Sequence, residues 1–157
     1  MKRVQVATIV LFFGALVPVI QAQPAGTQPA QHHEHVHHAP HGGKLVVLAD
    51  EFVNLELVID HDAGKLTGYV LDDHAENPVR ISQKEILLDL NSIRGKSTTA
   101  TLALKAVDNA LTGERVGSTS EFSGPLSVLK GAKQFKGTIR EVSAKGSTFK
   151  KVPVTFP

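Results

Sequence analysis

The chain has 157 residues, enough for one domain with a sizeable core, and no cysteine, so neither disulfides nor thiolate metal ligands enter its chemistry. The formal net charge is +2, but it is unevenly spread: residues 23–95 carry 5 basic and 11 acidic side chains, and residues 96–157 carry 10 and 4. All eight histidines fall in the acidic half, whose field draws cations. Basic residues of the second half stand singly between apolar ones without aromatic interleaving, which argues against nucleic acid as a partner.

In chain order, Lys2 and Arg3 precede the apolar run 4–20, broken by Pro18 and ending in Ile20-Gln21-Ala22. That is the layout of a secretory signal peptide, residues 1–22, cut after Ala22. An uncleaved membrane anchor is the competing reading, disfavoured by the short run and by Pro18. No cysteine follows to make a lipoprotein. A periplasmic or secreted location follows, with no stable membrane span after cleavage. Residues 23–40, QPAGTQPAQHHEHVHHAP, contain three prolines and little to bury, and read as a disordered His-rich tether.

From His41 onward the pattern changes to short runs of period two, predicting a β-domain over 41–157. KLVVLA (44–49) is the first predicted strand and Asp50-Glu51 a tight connection. FVNLELVID (52–60) alternates Val53, Leu55, Leu57 and Ile59 with Asn54, Glu56 and Asp60, the pattern of a half-buried strand. HDAGK (61–65) supplies the residues of a hairpin turn, and LTGYVLDD (66–73) returns. Further strands are predicted at 79–82, 85–90, 98–107, 119–124, 134–143 and 147–156. NSIRGKS and AKG turn the chain, and Pro125 opens a single helical turn. The fold class expected is all-β: an antiparallel β-sandwich or small barrel of about eight short strands.

Chemistry concentrates in HHEHVHHAPHGG, residues 32–43, which holds six of the eight histidines. On an extended chain His33, His35 and His37 form one row, with His32 and His38 beside them and Glu34 adding a carboxylate. Such a tract binds Cu(II), Zn(II) or Ni(II) in several registers, with Cu(II) favoured by intrinsic affinity. The competing reading is a soluble linker. If strand 44–49 pairs with 52–60 so that partner numbers sum to about 101, His41 comes opposite Asp60. His41, Asp60 and His61 then converge as an ordered ligand set, unless these are a plain strand end and a polar turn. A second pairing places Asn54 opposite Asp72, with Asp73 and His74 on the loop, where an ordinary polar pair is the favoured reading. No nucleophile elbow, His-Glu-x-x-His helix or facing carboxylate pair is present, and no enzyme is expected.

PHGG (40–43), the strand NLELVID (54–60) and YVLDDHAENPV (69–79) together resemble a small exported domain. It occurs in periplasmic proteins associated with heavy-metal efflux, where a His-Gly-Gly start follows a His-rich tether. The resemblance spans roughly residues 40–90. It implies a β-rich domain handling cations in the periplasm, and carries over His41, Gly42, Gly43, Glu56 and Asp72. Where that group has a His two places before the Glu, this chain has Asn54. The expected function is capture of divalent transition metal through the tether, as a buffer or as an accessory to cation efflux with an envelope or efflux protein as partner. The alternative is a metal-free docking module of the envelope, with the tether as a spacer. A pH-sensing tail would need a bistable element that the sequence does not show.

Overall fold

The computed structural model describes residues 37–49, 52–125 and 127–157, which belong to one unit, His35–Pro157. The signal segment 1–22, most of the tether (including His32, His33, Glu34 and His35) and the Asp50-Glu51 connection lie outside the described residues.

Among the described residues there are eight strands: β1 Lys44–Ala49, β2 Val53–Asp60, β3 Lys65–Leu71, β4 Glu85–Ile93, β5 Lys96–Ala106, β6 Glu121–Pro125, β7 Phe135–Ala144 and β8 Ser147–Phe156. One 3-10 turn, Ser127–Leu129, follows Pro125. Every ladder is antiparallel and the order is β1-β2-β3-β6-β5-β4-β7-β8. The chain thus makes a three-strand meander, crosses to β4, and meanders back so that β6 pairs with β3. It then crosses again to place β7 on the free side of β4. The sheet curls into a nearly closed barrel. Its end strands β1 and β8 approach each other without forming a ladder. Lys145 bridges this seam: its ammonium donates to Phe52 O at 3.2 Å and lies 5.3 Å from the Phe52 ring centre.

Period-two alternation puts Ile86, Leu88 and Leu90 of β4, Leu102 and Leu104 of β5, Phe122 of β6 and Ile139 of β7 into one core with Leu55, Leu57 and Leu66. Burial of such side chains is the main stabilising term in a chain with no covalent staple. Three expected strands are adjusted. Residues 79–82 form only the bridge Ile81↔Thr119, because this segment is the crossing connection to β4: Val79 bonds Val70 of β3, and Ile81 already bonds Thr119. β4 and β5 run on to Ile93 and Lys96, which shrinks the NSIRGKS connection to Arg94-Gly95.

On the outer face Arg140 of β7 grips Asp89 of β4 through two 2.8 Å bonds, and Thr101 Oγ1 donates to the same carboxylate at 2.7 Å. These donors hold the Asp89 carboxyl at about 2, below its ordinary value of 3.8. A depressed carboxyl stabilises the fold above the unfolded value and loses that contribution as pH falls toward the folded one. Asp89→Asn should therefore be less stable than the wild type at pH 5, and urea denaturation at pH 2.5 should show a smaller gap.

Candidate functional site

The HGG motif is a turn that wraps a buried carboxylate. Glu56, in the middle of β2, pairs with Leu45 on one side and Tyr69 on the other; its neighbours Leu55 and Leu57 are in the core, so alternation puts its side chain on the outer face of the sheet. That face is covered there, and Glu56 is 0% exposed. The cover is the chain just before β1. Gly42, at φ +73°, donates its N–H to Ala39 O at 3.1 Å and reverses the chain. His41 N then donates to Glu56 Oε1 at 2.9 Å, Gly43 N donates to the same oxygen at 2.8 Å, and His41 Nδ1 stands 2.7 Å from Oε2. A carboxylate can only accept, so Nδ1 is the donor, and Nε2 is the ring nitrogen that points away from Glu56.

The His41 ring stacks on Tyr69 at 3.8 Å between centres and 11° between planes. Burial raises the Tyr69 hydroxyl above its ordinary value, and the charges of Glu121 and Glu56 add to this. His41 remains 43% exposed at its side chain and borders a cleft of about 300 Å3 with Pro40, Tyr69, Glu76, Pro78 and Glu121.

A second polar cluster builds the loop after β3. Asn54 is 1% exposed, and its Nδ2 donates to the carbonyls of Asp72 at 2.8 Å and Asp73 at 3.0 Å. The Asp72 carboxylate accepts from Glu76 N (2.9 Å), Asn77 N (3.2 Å) and Asn77 Nδ2 (2.7 Å). Desolvation opposes ionisation of Asp72, but these bonds and nearby His74 outweigh it and hold the carboxyl below its ordinary value. Ala75 is buried at φ +59°. On this framework His74 Nδ1 lies 3.2 Å from Asp73 Oδ2, and the His37 ring meets the His74 ring edge-on with centres 6.0 Å apart.

The expected β1–β2 register is found: Lys44↔Leu57 through Val47↔Asn54 all sum to 101. The expectation that His41 would continue it opposite Asp60 is corrected. The ladder starts at Lys44, and the left-handed Gly42 sends His41 onto Glu56 instead. Asp60 accepts from Asp62 N at 3.1 Å and Ala63 N at 2.9 Å and so caps the β2–β3 turn, while His61 O accepts from Gly131 N. The structure does not gather His41, Asp60 and His61, and among the described residues no three His, Asp or Glu side chains form a metal-ligand group.

Asn54 lies opposite Leu71, one place from the expected Asp72, and bonds main-chain carbonyls in place of a carboxylate. The expected half-buried strand 52–60 is also corrected, since Asn54 and Glu56 are buried on the outer face. Sequence reasoning missed the burial of Glu56 and the stacking of Tyr69. The register held the signal: with Leu45 opposite Glu56, Gly43 falls two places away on the same edge. No protein-family model, curated protein or solved structure matches this chain.

Proposed function

We propose that the protein is an exported binder of divalent transition metal that captures Cu(II), Zn(II) or Ni(II) through its histidine tract, as a buffer or as an accessory to cation efflux. The observation that carries the reading is six imidazoles within residues 32–41, a density that a spacer has no use for. Imidazole suits these ions, and with no cysteine and Met1 as the sole methionine the tract is the chain's richest donor set. The pinned end of the tract supports the same reading. Glu56 engages His41 Nδ1 and leaves Nε2, the arrangement by which a carboxylate orients a ligating histidine.

Calorimetric titration of the processed chain, recovered from a host that exports it, tests this at pH 7. Replacing His32, His33, His35, His37 and His38 by Ala should weaken micromolar binding by about tenfold or more with thermal unfolding unchanged. Binding should also fade in mild acid, as imidazole is protonated near pH ~6.5. Absence of binding, or equal binding by the variant, rejects the reading. The second reading is a metal-free docking module. It is favoured by Leu111, 99% exposed in the 109–114 turn. It predicts that Leu111→Ser abolishes envelope-protein docking while the tract variant docks normally.

A further inference from the structure

We propose that the cleft beside the His41–Tyr69 stack is a binding site for a guanidinium group carried on an aliphatic stem. The proposal goes beyond the metal reading and uses described residues alone. Strand register builds the site. Glu56 of β2 pairs with Tyr69 of β3, and Tyr69 pairs with Glu121 of β6, so the three side chains form one row across the outer face. At one end of the row the HGG turn takes up the Glu56 carboxylate and lays His41 on Tyr69. At the other end the Glu121 carboxylate has no hydrogen bond or ion pair to a described residue. It lies close enough to act on the Tyr69 hydroxyl, which burial raises first and the Glu121 charge raises further.

The walls set the shape and the sign of the ligand. Pro40, Leu71 and Pro78 are apolar, the His41–Tyr69 stack is flat, and about 300 Å3 holds one stem with one planar head. Of the three carboxylates on the lining, Glu114 is already satisfied. It accepts from Ser120 N, Ser120 Oγ and Thr112 Oγ1, and Arg80 stands 3.6 Å away. The carboxylates of Glu121 and Glu76 have no such partner among the described residues, and no lysine or arginine stands among the described lining residues. Apolar walls focus that negative field and give it a use that a hydrated metal ion does not have. No three-ligand group for a metal stands there among the described residues either. An ammonium is compact and strongly hydrated, whereas a guanidinium is planar, weakly hydrated, stacks on aromatic faces and forks onto a carboxylate. The site is also built in advance. Glu56 pins His41, Asn54 and Asp72 brace the loop that bears Glu76, and Asn109 Oδ1 caps the turn that bears Thr112. Bracing of this kind removes the ordering cost that a ligand would otherwise meet. Leu111, 99% exposed between Asn109 and Thr112 of the rim, offers an apolar contact to whatever the stem is joined to.

Butylguanidine is the probe and butylurea its uncharged isostere, each titrated into the 15N-labelled processed chain in EDTA, so that no metal takes part. Butylguanidine should shift the amides of Tyr69 and Glu121 and the Tyr69 ring with a Kd of about 1 mM or tighter, and butylurea should not. Glu121→Gln, which keeps the volume, should weaken binding about tenfold. Glu76→Gln, at an exposed position on the mouth, should weaken it about threefold, with thermal unfolding unchanged. The peptide acetyl-Leu-Arg-Leu-amide separates the two sources of the group. Tighter binding than butylguanidine, with the gain lost in Leu111→Ser, assigns the cleft to an arginine side chain of a partner. Binding no tighter than that of butylguanidine assigns it to a free guanidine. Equal binding of butylurea, affinity unchanged in both Gln variants, or no response to either guanidinium probe overturns the proposal. With metal withheld throughout, failure here leaves the metal reading to its own titration.

Discussion

Glu56→Ala should cost about 3 kcal/mol of folding stability, read as a lowered urea midpoint with an unchanged slope. The carboxylate is fully buried and takes the N–H groups of His41 and Gly43 together with the His41 ring. Truncation leaves two main-chain donors without an acceptor, each costing about 1–3 kcal/mol, while the ring can turn to water. It also opens a void under the turn. Against a total stability of about 5–15 kcal/mol this is a large fraction, and the melting temperature should fall by roughly 10 °C. Glu56→Gln keeps the volume and one acceptor oxygen but points an amide N–H at a donor, so its loss should be smaller, about 1–2 kcal/mol. The ring-current shift of His41 against Tyr69 reports the same event locally: it should shrink in Glu56→Ala, because nothing else in the described residues bonds the His41 ring nitrogen. A loss below about 1 kcal/mol would show that the turn does not depend on the carboxylate.

What the sequence made legible was local. Alternation placed β1, β2, β7 and β8 to within a residue or two of their ends, because each has one apolar face and a turn at its border. The number sum of 101 was also readable from the short spacing of the two apolar runs, but not the register shift between Val47 and Ala49 that makes the last pair, Ala49↔Val53, sum to 102. Three things were not readable, for different physical reasons. Alternation reports which side chains are apolar, so it could not show that Asn54 and Glu56 are covered by residues 39–43 and 72–77. Extrapolating a ladder assumes continued extended backbone, and one residue, Gly42 at φ +73°, broke that assumption and moved His41 from Asp60 to Glu56. The insertion of β6 between β3 and β5 is a long-range choice that no local pattern encodes. Of the candidate residues, His41 sits on a built framework. Asp60 and His61 serve the β2–β3 turn and its contact with Gly131. His74, which sequence reasoning left in a polar loop, stands on the second framework.

Gly43→Ala should be at least as damaging as loss of Glu56, at about 3 kcal/mol or more, and far worse than Gly42→Ala. A Cβ at Gly43 would stand 2.3 Å from Leu57 O and 2.8 Å from Val58 Cγ2. Neither neighbour can give way. Leu57 is paired with Lys44 on one side and Gly68 on the other, and its own side chain is buried in the core. Val58 is β-branched and stiff at χ1. Around Gly42 a Cβ meets nothing within 4 Å, so only the left-handed backbone is strained there, at about 1 kcal/mol. The two adjacent glycines thus answer different demands, one of conformation and one of space, and urea denaturation of the two variants should separate them by about 2 kcal/mol. The spatial demand is tied to the carboxylate. Gly43 N reaches Glu56 Oε1 at 2.8 Å because its Cα lies against the β2 backbone, and any side chain that lifts the turn off β2 must lengthen that bond. Gly43→Ala should therefore also release His41 from Tyr69, and the same ring-current shift should show it, whereas Gly42→Ala should leave the stack in place.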